Sequence, residues 1–331
     1  MSALPTYARS IARIVIGGLI AALIVGAIGW LVERSRLGTT DEAAVRRIEQ
    51  ELGRRFTDTA DVLAARAARV RAVPNAIAGA SRDTAASRAL FQTLASELTP
   101  DLAGSAGLTV FGPRGTPLAW AGRVSDVPRD RIDGPASLFV SLDPLGPRLV
   151  RVEPVPDPAR PAGPPLAVVV AEQLVIERTD VASPVSDTFR LPTSVVDVDL
   201  RATPGLAPPT PPYSFAIRSA SGGVLAEADV SPADLATVRA RWRASIRASV
   251  IGVLALALLL CAAPVLDVRR YTARPGAFGA ATLGLVAILI AGRALLRVAF
   301  EPLVAPTLAG PVTLLPDALL LAALVWTALD T

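Results

Sequence analysis

Residues Leu108–Arg123 read LTVFGPRGTPLAWAGR, and this stretch decides the fold. Leu108, Val110 and Phe111 form an apolar run that stops at Gly112-Pro113-Arg114-Gly115 and resumes at Leu118-Ala119-Trp120-Ala121. Two apolar runs around a Pro/Gly turn predict a β-hairpin. Three strand-like runs follow at Ser137–Leu142, Arg148–Val155 and Leu166–Ile176. The last is nearly continuous in Val, Ala and Leu, as a central strand buried on both faces would be. One hairpin and three further strands predict a five-stranded antiparallel sheet. The rest of the chain reads as the parts that hold this sheet outside a membrane and connect it back through that membrane.

Composition supports the membrane reading. The 331 residues are 52% hydrophobic, and the mean hydropathy of +0.48 is high for a soluble protein. The net charge is +4 and every basic side chain is Arg. These Arg residues are scattered and aromatics make up only 5%, so no aromatic-interleaved basic patch of the nucleic-acid-binding kind is present. The chain contains no His, which removes Ser-His-Asp and Cys-His nucleophile activation, His metal ligation and a phosphoacceptor His. Its one cysteine, Cys261, lies in an apolar run, so no internal disulfide forms. No cofactor and no metal is expected, and no catalytic residue is assigned.

Outward from the sheet, the N-terminal side begins with a short polar segment, residues 1–10, taken as cytoplasmic. Residues 11–32 form the first membrane helix, with Ile14–Val32 apolar throughout and Trp30 suited to an interface. A cleaved signal peptide is the alternative, but its apolar region would be unusually long and no small-x-small cleavage site precedes Glu33. Gly18, Ala22 and Gly26 make a small-xxx-small ridge suited to close helix contact, including contact with a second copy in a homodimer. Asp41–Val73 predicts one long helix, because Val45, Ile48, Leu52, Phe56, Thr59, Leu63, Ala67 and Val70 recur every three or four residues. Pro74 ends it. A second helix is expected over about Asp83–Leu98, and a short one within Ser125–Ile132.

On the C-terminal side, Pro154–Pro165 and Ala202–Pro212 are Pro-rich connectors. Asp187–Leu200 adds one or two strands, and a second hairpin over residues 213–227 echoes the first. Ser231-Pro232-Ala233-Asp234 is a helix start with Pro at its first position and an acid in its first turn. That helix should run through Arg239, Arg241, Trp242, Arg243 and Arg247 into the next apolar run. Three further membrane helices are expected at residues 249–267, 277–299 and 312–329. Arg269, Arg270 and Arg274 lie behind the first of these, which puts residues 33–245 outside the cell membrane under the positive-inside rule. The Arg residues just before Val250 oppose this locally, but long translocated domains largely escape the rule. Arg293 and Arg297 share one helix face, and Arg293 is expected to pair with Asp317 inside the bundle. Snorkelling of both into the headgroups is the alternative. At Asp330-Thr331 the expectation is a longer protein carrying an output domain, with a natural end as the other reading.

The order of membrane anchor, long helix, hairpin LTVFGPRGTPLAWAGR, short helical excursion, three strands and return helix resembles a Cache-type (PAS-like) extracytoplasmic sensor domain. Such domains belong to bacterial transmembrane receptors, most often sensor histidine kinases. The resemblance covers about residues 33–245 and is one of layout and hairpin style. The Tyr/Arg/Trp/Asp amino-acid-binding signature of some Cache domains is not present in recognisable form. The kinase half is absent, and three membrane helices after the sensor depart from the usual one. The resemblance implies an α+β fold, with a long N-terminal helix on an antiparallel PAS/Cache-like sheet and four transmembrane helices. It implies residence in the bacterial inner membrane and a small ligand bound on one face of the sheet. It further implies a signal carried by movement of the return helix 231–247 against the stalk 41–73.

Five side chains are candidates to touch that ligand. Trp120 and Arg123 close the second strand, and a Trp beside an Arg suits an anionic or aromatic guest. Arg151 and Glu153 alternate with Val150 and Val152, and so face away from one apolar face of the sheet. Glu172 interrupts an otherwise apolar strand. Two other function classes stand beside the receptor. One is a structural or assembly protein whose outer domain binds a protein partner. The other is a membrane enzyme working through carboxylates such as Asp126/Asp130 or Asp197/Asp199. A ligand-sized cavity lined by Trp120 and Arg123 favours the receptor, and a flat exposed apolar face favours the partner-binding protein.

Overall fold

The computed structural model describes residues 4–143, 146–158, 160, 163–175, 188–202, 211–271 and 274–300. The chain divides into two units, residues 40–235 and the helices contributed by residues up to 39 and from 236 onward. This boundary falls inside the expected outer domain of residues 33–245, because Glu33–Thr39 and Ala236–Ser245 group with the long apolar helices.

The first helix, α1 (Leu4–Leu37), carries the apolar run and closes on Arg34 and Arg36, whose charge suits the negative end of the helix dipole. The unit 40–235 opens with α2 (Asp41–Arg71). Thr40 caps it, its side chain accepting a hydrogen bond from the Ala43 N–H, with Asp41 and Glu42 in the first turn. The expected stripe is the buried one: Val45, Ile48, Leu52, Phe56, Leu63, Ala67 and Val70 are all inaccessible. Thr59 is half-buried and turns its hydroxyl back to the Arg55 carbonyl at 2.8 Å. After the break before Pro74 come α3 (Pro74–Ala80), which the sequence reading did not include, and α4 (Thr84–Ser96), capped by Asp83.

The sheet follows: β1 (Ala106–Phe111), β2 (Pro117–Gly122), α5 (Arg129–Ile132), β3 (Ser137–Asp143), β4 (Gly146–Val155) and β5 (Ala167–Leu174). The short helix occupies only the end of the expected 125–132 segment. All pairings are antiparallel and the strand order is β2-β1-β5-β4-β3, with the continuous apolar strand at the centre as expected. Alternation splits the sheet into two faces. Leu108, Val110, Leu149 and Val169 point to one face, on which α2 covers β4 and β5 and α4 covers β2. Val150, Val152, Val168 and Val170 point to the other, where they pack with Val127, Ile132, Phe111 and Phe139. The segment between β2 and β3 therefore covers the face that the long helix leaves bare.

A second antiparallel sheet contains β6 (Thr188–Leu191), β7 (Val198–Arg201), β8 (Ser214–Arg218) and β9 (Val224–Asp229), in the order β6-β7-β9-β8. The 213–227 hairpin is thus the edge of a separate sheet and does not extend the first. It packs against α2, and the Tyr213 hydroxyl donates to Asp41 at 3.4 Å. Burial, and then the nearby Asp41 carboxylate, push the Tyr213 phenol above its ordinary value.

The remaining helices are α6 (Pro232–Leu260), α7 (Ala262–Tyr271) and α8 (Pro275–Phe300). The Ser231 hydroxyl caps α6 by accepting from the Asp234 N–H at 3.2 Å. Three stretches are long and apolar enough to cross a membrane: Tyr7–Leu37, Pro232–Tyr271 and Pro275–Ala299. The described residues therefore carry three candidate spans where the sequence predicted four; the segment 312–329 and Asp317, with the proposed Arg293 pair, lie outside them. The middle span turns at Cys261 between α6 and α7.

The small-residue ridge of α1 lies against α6 of the same chain. Gly26 approaches Val250 and Gly29 approaches Ile246; a Cβ added at Gly18 would collide with the Ala257 side chain. Ala22 is buried between them in sequence. The close helix contact expected of this ridge is made with α6, which runs along the face where only small residues leave room.

Candidate functional site

The face opposite the long helix carries a cleft of about 630 Å³. Strand β1 supplies Thr109 and Phe111, β2 supplies Trp120, and the following segment supplies Val124, Asp126 and Arg129. This volume lies within the usual range for small-molecule sites. The Trp120 ring is half-exposed, at 49%, and meets the edge of Phe91 on α4 with ring centroids 5.1 Å apart. Its apolar surface is available to a guest while its position is fixed from behind.

A buried ion pair holds the wall of this cleft in place. Arg148 on β4 and Glu172 on β5 are 0% and 1% exposed, and Arg148 Nε lies 3.0 Å from Glu172 Oε2. Glu172 Oε1 accepts the Ser125 backbone N–H at 2.9 Å, and Oε2 accepts the Ser125 hydroxyl. Arg148 Nη2 donates to the Arg123 carbonyl. The chain leaving β2 is thus gripped at Arg123 by the cation and at Ser125 by the anion. Two glycines make room for it. Gly107 lies under the Arg123 carbonyl, and a Cβ there would also press on Glu172 Cγ at 3.0 Å. Gly122 turns the chain at a φ of 71°, a conformation that disfavours side chains. Arg148 Nε and Nη1 are buried without a hydrogen-bond partner, Nε meeting Glu172 as an ion-pair contact, so removal of the anion would leave a largely uncompensated buried charge.

The five candidate side chains therefore separate. Trp120 lines the cleft. Arg123 serves through its backbone, its side chain is exposed, and it is not part of the lining. Glu172 is a positioning residue behind the wall. Arg151 and Glu153 lie on the helix-covered face, where Arg151 Nε donates to Glu153 Oε1 at 2.7 Å and Arg71 Nη1 to Glu153 Oε2 at 3.2 Å. Nearby on that face Arg66 reaches Gln173 at 3.3 Å, and burial lowers its guanidinium pKa from the ordinary value. Sequence reasoning missed Arg148 and Ser125, and it named Asp126 only as one of a carboxylate pair for an enzyme reading, where the structure places it in the cleft lining. A charged residue at the head of an apolar strand was the available signal for Arg148, but its partner is set by the β4–β5 register. Arg293 lies on α8.

No protein-family model matches the chain, and no curated protein or solved structure matches it either.

Proposed function

We propose that the chain is the membrane-anchored sensory part of a receptor that binds a small ligand at the Trp120 cleft. The particular reading is a PAS-like sensor in the bacterial inner membrane, with residues 33–245 outside the cell membrane. Its output, a histidine kinase, would lie in another part of the protein or in a partner. The observation that carries the proposal is the cleft itself. Among the described residues of 40–235, the large apolar side chains left exposed are Val62, Trp120 and Val124, and two of these line it. A partner-binding surface would instead spread such residues over a flat face. The antiparallel order β2-β1-β5-β4-β3, with the cleft walled by the excursion between β2 and β3, supports a PAS-like reading. The return helix supports signalling: α6 starts directly after β9 and continues without a break to Leu260. A ligand that favours one position of the wall would bias the position of that rod.

The test uses the full chain in lipid nanodiscs. Thermal melting is followed across a panel of small aromatic and aliphatic carboxylates, for the native chain and for Trp120→Ala. A ligand that raises the melting temperature of the native chain alone is the expected result. Location is tested separately with Gly104→Cys in intact cells, where Cys261 is buried. Labelling by a membrane-impermeant maleimide is expected, and protection from it would end the receptor reading.

A further inference from the structure

We infer that the junction of α1 and α6 is a binding site for the phosphate of an anionic phospholipid. This rests on the helices crossing a membrane and is independent of the sensor reading. Between Trp30 and Gly38 and between Arg239 and Arg247, the charged residues are Arg34, Arg36, Arg239, Arg241, Arg243 and Arg247 against the single acid Glu33. The two segments lie side by side. Trp242 Nε1 donates to the Gly29 carbonyl at 3.3 Å, Arg243 Nε to Glu33 at 2.9 Å, and Arg239 to the Leu37 and Gly38 carbonyls at 3.2 Å each.

Between them is a small recess of about 130 Å³, lined by Trp30, Glu33, Arg34, Thr39, Arg239 and Arg243. The Arg34 guanidinium stands 5.4 Å over the Trp30 ring, and that of Arg36 stands 5.9 Å over Trp242.

Depth selects the ligand. The apolar run of α1 ends at Val32 and that of α6 begins at Val250. At 1.5 Å per residue, Arg34 and Arg36 lie roughly 3–6 Å beyond the first, and Arg247 and Arg243 roughly 5–10 Å beyond the second. That is the headgroup layer, where Trp rings also settle. Guanidinium forks match phosphate oxygens in pairs, and six arginines beside one acid give this junction a positive potential that favours an anion. The cluster also accounts for the arginines that run against the charge rule just before Val250: their partner is a lipid at that interface. Such a lipid would bridge α1 and α6 at the point where the Glu33–Arg243 pair already joins them.

Native mass spectrometry of the full chain, released from nanodiscs of phosphatidylcholine with phosphatidylglycerol, tests this. The native chain should retain phosphatidylglycerol, and Arg34→Gln/Arg243→Gln should retain less, by about five-fold for each arginine removed. Arg34→Lys/Arg243→Lys keeps the charge and loses the fork, so it should also fall. Glu33→Gln removes the competing carboxylate and should retain more. An unchanged melting temperature for each variant establishes that it folds, and Arg36→Gln/Arg247→Gln serves where one does not. The inference is overturned by equal retention in the native and Gln chains. It is also overturned by an equal loss from Arg9→Gln/Arg13→Gln at the other end of α1, which would mean unspecific attraction. Displacement of the lipid by millimolar inorganic phosphate would assign the recess to a free anion and overturn the lipid as its ligand.

Discussion

The two faces of the five-stranded sheet both carry Arg–Glu pairs, and they use them in opposite ways. On the helix-covered face, Glu153 sits between Arg71 and Arg151, whose side chains are 38% and 29% exposed. On the cleft face, Arg148 and Glu172 are sealed from water. Glu153 itself is 13% exposed, but a pair whose cations still reach water keeps part of its hydration and costs less to lose than a sealed one. A sealed pair has lost its hydration, so each partner depends on the other and on every hydrogen bond that completes it. The first network trims the edge of a helix contact. The second fixes where the chain runs after β2, and so fixes the wall of the cleft.

The largest expected effect breaks the sealed pair. Glu172→Leu leaves Arg148 buried with only the Arg123 carbonyl, and should cost about 3–5 kcal/mol of stability, read from urea unfolding of the full chain in detergent by sheet circular dichroism. Restoring balance with Arg148→Met/Glu172→Leu should recover most of that stability, because two apolar groups of similar volume need no counter-ion. The double variant still lacks the acceptor for Ser125, so the wall should loosen. Faster amide exchange at Ser125 than in the native chain is the expected sign. A single variant as stable as the native chain would mean that the two faces do not differ.

The contrast between the faces also marks what could be read from residues alone. The α2 stripe was legible because its period is local: each buried residue is three or four positions from the next. The central strand was legible because a strand covered on both sides must be apolar throughout. Glu172 was legible as an interruption, but its meaning was not. It sits 24 positions from Arg148 across a Pro-rich connector, and only the β4–β5 register brings the two together. The same charge reads as a ligand contact until its partner is known. The alternation of Arg151 and Glu153 with Val150 and Val152 was read correctly, but alternation does not say which face a helix will cover. The hairpin 213–227 was visible through its turn residues, while its membership of a second sheet depends on pairing with a distant four-residue strand, β7. The ridge Gly18-Ala22-Gly26 announced close packing without naming the neighbour, which proved to be α6.

A smaller effect sharpens the comparison through salt. Glu153→Gln should cost no more than about 1 kcal/mol, since both its cations keep access to water. Raising the ionic strength should shrink even that difference, because about 10 Å of screening length at 0.1 M falls to about 3 Å at 1 M. The Glu172→Leu penalty should hold nearly constant over the same range, since salt does not reach the pair. Urea unfolding at the two salt concentrations, run on both variants, separates the faces by their response.

The smallest effect lies at the start of α2 and is one of pH. Glu42 is fully exposed, yet its carboxyl is held below its ordinary value of 4.5, first by a hydrogen bond from the Thr40 side chain and then by its own backbone N–H. A carboxyl that binds its proton less readily in the folded chain contributes stability above its ordinary value, and that contribution disappears as the pH falls through the lowered one. Acidification below about 4.5 should therefore weaken this end of the helix, while pH changes above that range should leave the contribution intact. Thr40→Ala removes both the cap of α2 and the leading cause of the shift. At neutral pH it should cost about 1 kcal/mol, the usual worth of an N-cap, and the acid-dependent part assigned to Glu42 should flatten. Unfolding curves of native and Thr40→Ala chains that stay parallel from neutral pH to below 4 would show that the cap does not tune the acid at the start of α2.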